Sequence, residues 1–195
     1  MTPYATSIPA WSNAGVLPPI HPSVPSNSLD RSPYLVELVT LMDRFSTSPE
    51  RMNILDGLLR FRAGLHQAGI MSGFQWLDGS FLEQVEVLEE RPPRDVDVVN
   101  FVDLTGLNQQ ILIQQHKDLF DQKQTKTAYA VDAYFVQIGG TLDADSTRRV
   151  AYWYSMWSHR RDGLWKGFVQ IDLDPTQDAD ARALLNLHGG IHHDS

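Results

Sequence analysis

Fourteen residues after the pair Gly79-Ser80 the chain reads Asp95-Val96-Asp97, and an apolar run, Val98 to Val102, follows, broken only by Asn100. Val and Phe at this density predict a strand. Strand side chains alternate between faces, so Asp95 and Asp97 project to one side. Two carboxylates that close repel each other unless a cation lies between them. A second apolar run, Tyr129 to Val136, carries a single carboxylate, Asp132. Burying it unpaired is costly, so it needs a hydrogen-bond partner or a metal. If the two strands are neighbours, Asp132 reaches the same cation as Asp95 and Asp97. The competing reading is plainer: Asp95 and Asp97 are edge-strand charges facing water.

The rest of the chain narrows what such a site can belong to. At 195 residues it is one domain, or one domain with an arm. With 42% hydrophobic and 21% charged residues, it has the composition of a soluble globular protein. No apolar run approaches the ~18 residues a membrane helix needs, so no membrane association is expected. The first Lys or Arg is Arg31, so no basic leader is read. The absence of cysteine excludes disulfides, thiol catalysis and zinc-thiolate sites, and a cytoplasmic location is expected. A net charge of -8 argues against loose, sequence-independent binding to nucleic acid. It suits a protein that handles ATP with Mg²⁺ as counter-charge.

Six of the eleven prolines fall within residues 1–30, without helical periodicity. Residues 1–31 therefore read as an extended Pro-rich arm, laid on the domain by Trp11, Val16 and Leu17 or else left as a disordered tail. Residues 32–188 read as the folded domain and 189–195 as a flexible tail. A first helix is expected from Ser32, with Pro33 at its first position, and a second from Pro49, capped by Ser48 and stopped at Gly69. Phe74 to Leu77 reads as a buried strand ending in the turn Asp78-Gly79-Ser80. Phe81 to Leu88 fits either a short helix or a strand, and Glu89 to Arg94 a loop. Leu107 to Asp121 reads as a helix capped by Asn108, and Ala128 to Ile138 as a third strand. Ser146 to Trp157 reads as a helix, with a hairpin around Asp162-Gly163 as the competing reading. A last strand spans 167–173 and a short helix 178–187. This order predicts a mixed α/β (α+β) domain, one small sheet flanked by helices.

Gly79 permits a tight turn and close approach of a phosphate, and Ser80 adds a hydroxyl donor. Taken together, Gly79-Ser80, Asp95/Asp97 and Asp132 resemble the signature of the polymerase β-type nucleotidyltransferase superfamily, in that superfamily's order. The spacer of fourteen residues is longer than in minimal members, and the extra length falls in the 89–94 loop, where insertion is cheap. The chain also resembles a bacterial nucleotidyltransferase-like group with a Leu-Pro-Pro segment, here Leu17-Pro18-Pro19, and a Lys-Gly pair, here Lys166-Gly167. The resemblance implies Mg²⁺ or Mn²⁺ held by Asp95, Asp97 and Asp132, with a nucleoside triphosphate as substrate. In-line attack on its α-phosphate would release pyrophosphate. It gives Gly79 and Ser80 the β/γ-phosphates, and makes Asp132 a metal ligand that helps deprotonate the acceptor.

Arg148 to Lys166 is the one basic, aromatic stretch of an acidic chain. Arg160 and Lys166 are its candidate phosphate contacts, and the alternative is a core helix face with a solvated basic flank. His188, His192 and His193 read as exposed tail residues rather than a metal site. His66, His116 and His159 read as structural or surface residues. The function expected is transfer of a nucleoside monophosphate group to a protein, tRNA or small-molecule hydroxyl, with tRNA disfavoured by the net charge. The alternative is a non-catalytic nucleotide-binding subunit, an antitoxin or sensor acting on a toxin or defence effector.

Overall fold

The computed structural model describes residues 7–193, the last four as helical backbone only. The first six residues of the expected arm and the last two of the expected tail, Asp194 among them, lie outside the described residues, as do the side chains of His192 and His193.

The strands are β1 (Tyr34–Leu35), β2 (Gly73–Asp78), β3 (Val96–Asp103), β4 (Val131–Ile138) and β5 (Val169–Asp172). They form one mixed sheet in the order β1-β5-β2-β3-β4. The pairs β2–β3 and β2–β5 are antiparallel, whereas β3–β4 and β1–β5 are parallel. The helices are α1 (Leu38–Phe45), α2 (Pro49–Gln67), α3 (Val85–Leu88), α4 (Gln109–Gln115), α5 (Lys117–Phe120), α6 (Gln122–Tyr129), α7 (Ala144–Trp157) and α8 (Asp178–His193). The mixed α/β architecture is the one expected. Helices α4 to α6 make the crossover that a parallel β3–β4 pair requires.

One sheet face packs on α2 and its neighbours. Ser48 caps α2 by accepting from the Arg51 N–H at 3.3 Å, with Pro49 at the first helical position. From α2, Leu55, Leu58, Phe61 and Leu65 are fully buried, each contributing ~1.5–3 kcal/mol by leaving water. The same face buries two polar groups at the sheet centre, and they satisfy each other. Gln75 donates to Asn100 at 2.7 Å, and Asn100 donates to the Tyr134 carbonyl at 2.9 Å. Arg62, fully buried on α2, donates to Gln75, Asp178 and the carbonyls of 172 and 174. The other face carries α7. Its Trp153 ring lies 4.7 Å from Tyr134 and its Trp157 ring 6.0 Å from Phe168, while Tyr152 and Tyr154 remain exposed.

The arm packs on the domain. Ile8, Val16 and Leu17 are buried, and Trp11 Nε1 donates to the Leu82 carbonyl at 2.7 Å. Leu17-Pro18-Pro19 and Lys166-Gly167 are direct neighbours: the Gly167 N–H donates to Leu17 O at 2.7 Å. A Cβ on Gly167 would sit 2.5 Å from the Pro18 carbonyl oxygen.

Several boundaries differ from those expected. No helix begins at Ser32. The Ser32–Pro33 peptide is cis, and Tyr34–Leu35 is the edge strand β1 instead. The N–H groups of Tyr34 and Val36 donate to the carbonyls of Phe168 and Gln170, each at 2.9 Å. Pairing with the open edge of β5 outweighs the Ser-Pro start signal, and α1 waits until Leu38. The segment 107–121 is two short helices, with Asn108 capping the first as expected. Polar α6 then runs to Tyr129, so β4 begins at Val131 rather than Ala128. Phe81 to Leu88 holds a single 3₁₀ turn (Ser80–Leu82) and α3. Helix α7 and the turn at Gly163 both exist, the latter closed by a bridge between His159 and Trp165. Helix α8 passes through Gly189-Gly190 to His193, beyond the expected tail boundary.

Candidate functional site

The strand register brings three carboxylates into one row. Asp78, the last residue of β2, pairs with Asp97 on β3, and Asp97 pairs with Asp132 on β4. Directly cross-strand partners share a face, so all three emerge on the α7 side, at one end of the sheet. Asp95 lies one residue before β3, and its carboxylate is reached from α6. Lys126 Nζ stands 2.8 Å from Asp95 and 3.2 Å from Asp132. Gln122, one turn earlier on α6, donates to the other oxygen of Asp132.

Gly79 closes this row. Its φ of +84° is a conformation that suits glycine, and a Cβ there would lie 2.0 Å from Asp97 Oδ2. Only a residue without a side chain lets the turn backbone lie this close to Asp97. Ser80 then opens the 3₁₀ turn. Buried Arg51 holds the segment after it, donating to the carbonyls of Phe81 (2.6 Å) and Glu83 (2.7 Å) and to the Glu86 carboxylate. The arm holds it from the other side, where Gln84 N–H donates to Gly15 O at 2.8 Å.

Lys166 is buried on the loop before β5. Its Nζ lies 2.9 Å from Asp78 and 2.9 Å from Glu83. The Glu83 contact is a hydrogen bond, whereas the Asp78 contact lacks hydrogen-bond geometry and leaves Asp78 Oδ1 without such a bond. Arg160 Nη1 faces the other Glu83 oxygen at 3.6 Å.

These groups border one pocket of about 700 Å³. Asp95, Asp97, Asp132, Gly79, Ser80, Lys166 and Arg160 all line it, so every candidate site residue named from the sequence reaches one cavity. Ten further residues line it, among them Asp78, Glu83, Lys126 and Tyr134, which were not singled out from the sequence, and His159, expected as a structural or surface residue. Asp78 had a signal, since it ends the strand that runs into Gly-Ser. Lys126 had none, being one cation in a polar helix.

The electrostatics follow from this crowding. Burial, with Asp132 and Asp95 as like-charged neighbours, pushes the Asp97 carboxyl up to about 6. Burial pushes Asp78 up to about 7, against the pull of Lys166. Burial lowers Lys166, but Asp78 and Glu83 outweigh it and hold the ammonium charged. One buried cation thus faces two carboxylates, and burial holds Asp78 toward its protonated form. Lys126 is raised, chiefly by its hydrogen bond to Asp95.

Among the described residues, no three His, Cys, Asp or Glu side chains close around a single metal-sized point. The ammonium of Lys126 lies between two of the candidate ligands instead. The donor set still fits a hard divalent ion, because Asp95, Asp97 and Asp132 offer carboxylate oxygens from one pocket wall. The cation drawn between them sits on a half-exposed, flexible side chain. The basic stretch divides: Trp153 and Trp157 pack on the sheet, while Arg160, Arg161 and Lys166 turn to the pocket. His66 is structural, with Nε2 at 2.7 Å from the Leu173 carbonyl. Among the described residues, no helix is long and apolar enough to cross a membrane.

The chain belongs to the family of unknown function DUF6932, which it matches over residues 9–172. No curated protein and no solved structure matches it.

Proposed function

We propose that this family member is a metal-dependent nucleotidyltransferase, moving a nucleoside monophosphate group from a nucleoside triphosphate to an acceptor hydroxyl. The observation that carries the reading is the cross-strand row Asp78–Asp97–Asp132, with the Gly79 backbone packed on its central member. A hard cation in the pocket would have Asp95, Asp97 and Asp132 as ligands. Mg²⁺ or Mn²⁺ there supplies neutralisation of the charge on the attacking and leaving oxygens.

The chain's own groups do the rest. The turn at Gly79 and the Ser80 hydroxyl approach the β- and γ-phosphates. Arg160 and Arg161, beside the same pocket, offset phosphate charge. Lys166 is neutralised by Asp78 and Glu83, so it acts on phosphate through the position of that cluster more than as a free cation. Asp132 accepts the acceptor's proton once Lys126 has swung aside. The acceptor is a protein or a small molecule in preference to tRNA, given a net charge of -8, and the compartment is the cytoplasm.

One observation favours a second reading, a non-catalytic nucleotide-binding subunit of a toxin–antitoxin or defence system. Lys126 and Lys166 already compensate Asp95, Asp132, Asp78 and Glu83. The test is to incubate the protein with each α-³²P nucleoside triphosphate, Mg²⁺ or Mn²⁺ and cell extract, beside Asp97→Asn. Transferred label with wild type alone is expected. No label with any of the four, together with tight nucleotide binding, overturns the transferase in favour of the binding subunit.

A further inference from the structure

A second cavity, of about 290 Å³, adjoins the charged pocket, and Lys166 and His159 line both. Its chemistry is different. The charged pocket is lined mainly by Asp, Glu, Arg and Lys, and the Tyr134 ring there is already packed on Trp153. The second cavity is walled by Pro19 and Ile20 of the arm, by Tyr154 on α7 and by Trp165 in the turn after α7. Trp165 is 63% exposed and Tyr154 42%, so flat aromatic surface is open there. The Trp165 ring is held upright by the His159 imidazole, edge to face at 5.4 Å and 85°. His159 Nδ1 faces Ser158 Oγ at 3.0 Å and the Ser155 carbonyl at 3.3 Å. This orients its ring, and no hydrogen bond to Nε2 occurs among the described residues. The cavity thus combines an aromatic wall with polar lining residues, Ser32, Ser155 and Ser158.

We infer that this second cavity is the base-binding end of the site, taking the heterocycle of the nucleotide whose phosphates occupy the charged pocket. The inference rests on the nucleotidyltransferase reading for the phosphates. A base needs a π-surface to stack on and polar groups at its edge; the charged pocket offers little of the first and the second cavity offers both. The shared wall of Lys166 and His159 marks the passage through which ribose would connect the two. An acceptor molecule in the same cavity is the rival occupant.

The test separates the two ends of the ligand. Full-length wild type, Trp165→Ala and Trp165→Phe are titrated calorimetrically with each ribonucleoside triphosphate and, separately, with inorganic tripolyphosphate, all with Mg²⁺. Trp165 is exposed, so its loss spares the core. The result expected is roughly five- to 150-fold weaker binding of the preferred triphosphate to Trp165→Ala, the equivalent of the ~1–3 kcal/mol of one base stack. Trp165→Phe should recover most of it, with tripolyphosphate unchanged throughout. Equal affinity of wild type and Trp165→Ala for every triphosphate, with tripolyphosphate still bound, overturns the base site but leaves the phosphate site standing. An equal loss for nucleotide and tripolyphosphate also overturns it, since Trp165 would then act on the phosphate end. Binding of neither probe to wild type overturns both readings.

Discussion

Replacing Asp97 with asparagine removes a carboxylate that burial and two acidic neighbours make costly to ionise. Its carboxyl rises from 3.8 to about 6 through burial and the charges of Asp132 and Asp95. A raised carboxyl binds its proton more tightly in the folded than in the unfolded chain. Its cost is therefore absent below the unfolded value, grows as pH rises from there to the folded value, and is constant above. With these two values the ionisation penalty is ~1.6 kcal/mol at pH 5 and ~3 kcal/mol at pH 8. Screening at the open pocket reduces both figures, so Asp97→Asn is expected to gain about 1 kcal/mol on wild type between pH 5 and pH 8. For a chain of this size ~1 kcal/mol corresponds to roughly 2–4 °C in Tm. Paired urea or thermal unfolding at the two pH values, without divalent metal, reads the difference. A variant whose stability relative to wild type is the same at both pH values, or falls as pH rises, refutes the electrostatic account.

Gly79→Ala forces a Cβ onto Asp97 Oδ2 at positive φ; a loss of about 1–3 kcal/mol in unfolding free energy, with transferase activity abolished, is expected. Gly167→Ala drives a Cβ into the Pro18 carbonyl, so the arm should release and become a cleavage site in limited proteolysis that wild type lacks. Lys126→Met removes the ammonium from between Asp95 and Asp132. Mn²⁺ affinity without nucleotide should rise about tenfold, since a cation ~3 Å from two carboxylates interacts by well over the ~1.4 kcal/mol that a tenfold change requires. Titration of the Mn²⁺ electron paramagnetic resonance signal reads it.

Strands β2 to β5 were legible because their apolar runs are dense and their ends carry turn residues, as at Val96–Val102 and Asp78-Gly79-Ser80. The acidic residues were legible because Asp132 stands alone in an apolar run, and an isolated carboxylate there demands compensation. What compensates it was not legible. Lys126 and Gln122 sit on α6, whose polar sequence lacks an apolar stripe, so nothing marked it as the helix that faces the carboxylates. Asp78 looked like ordinary turn chemistry, because an Asp before Gly-Ser is common in turns; only the β2–β3 register sets it beside Asp97. Strand β1 was hidden by a Ser-Pro that mimics a helix start, and its pairing with β5 is a contact 135 residues away in sequence, between Tyr34 and Val169. His159 had no local partner in sequence; the turn that places it against Trp165 joins two cavities.

The most direct measurement is Mn²⁺ binding, followed by electron paramagnetic resonance, with and without a nucleoside triphosphate analogue that cannot release pyrophosphate. The account predicts stoichiometric Mn²⁺ binding that tightens with the analogue and is lost in both Asp97→Asn and the Asp95→Asn/Asp132→Asn double variant. Mn²⁺ that fails to bind wild type in the presence of every analogue, or that binds all variants equally, contradicts it.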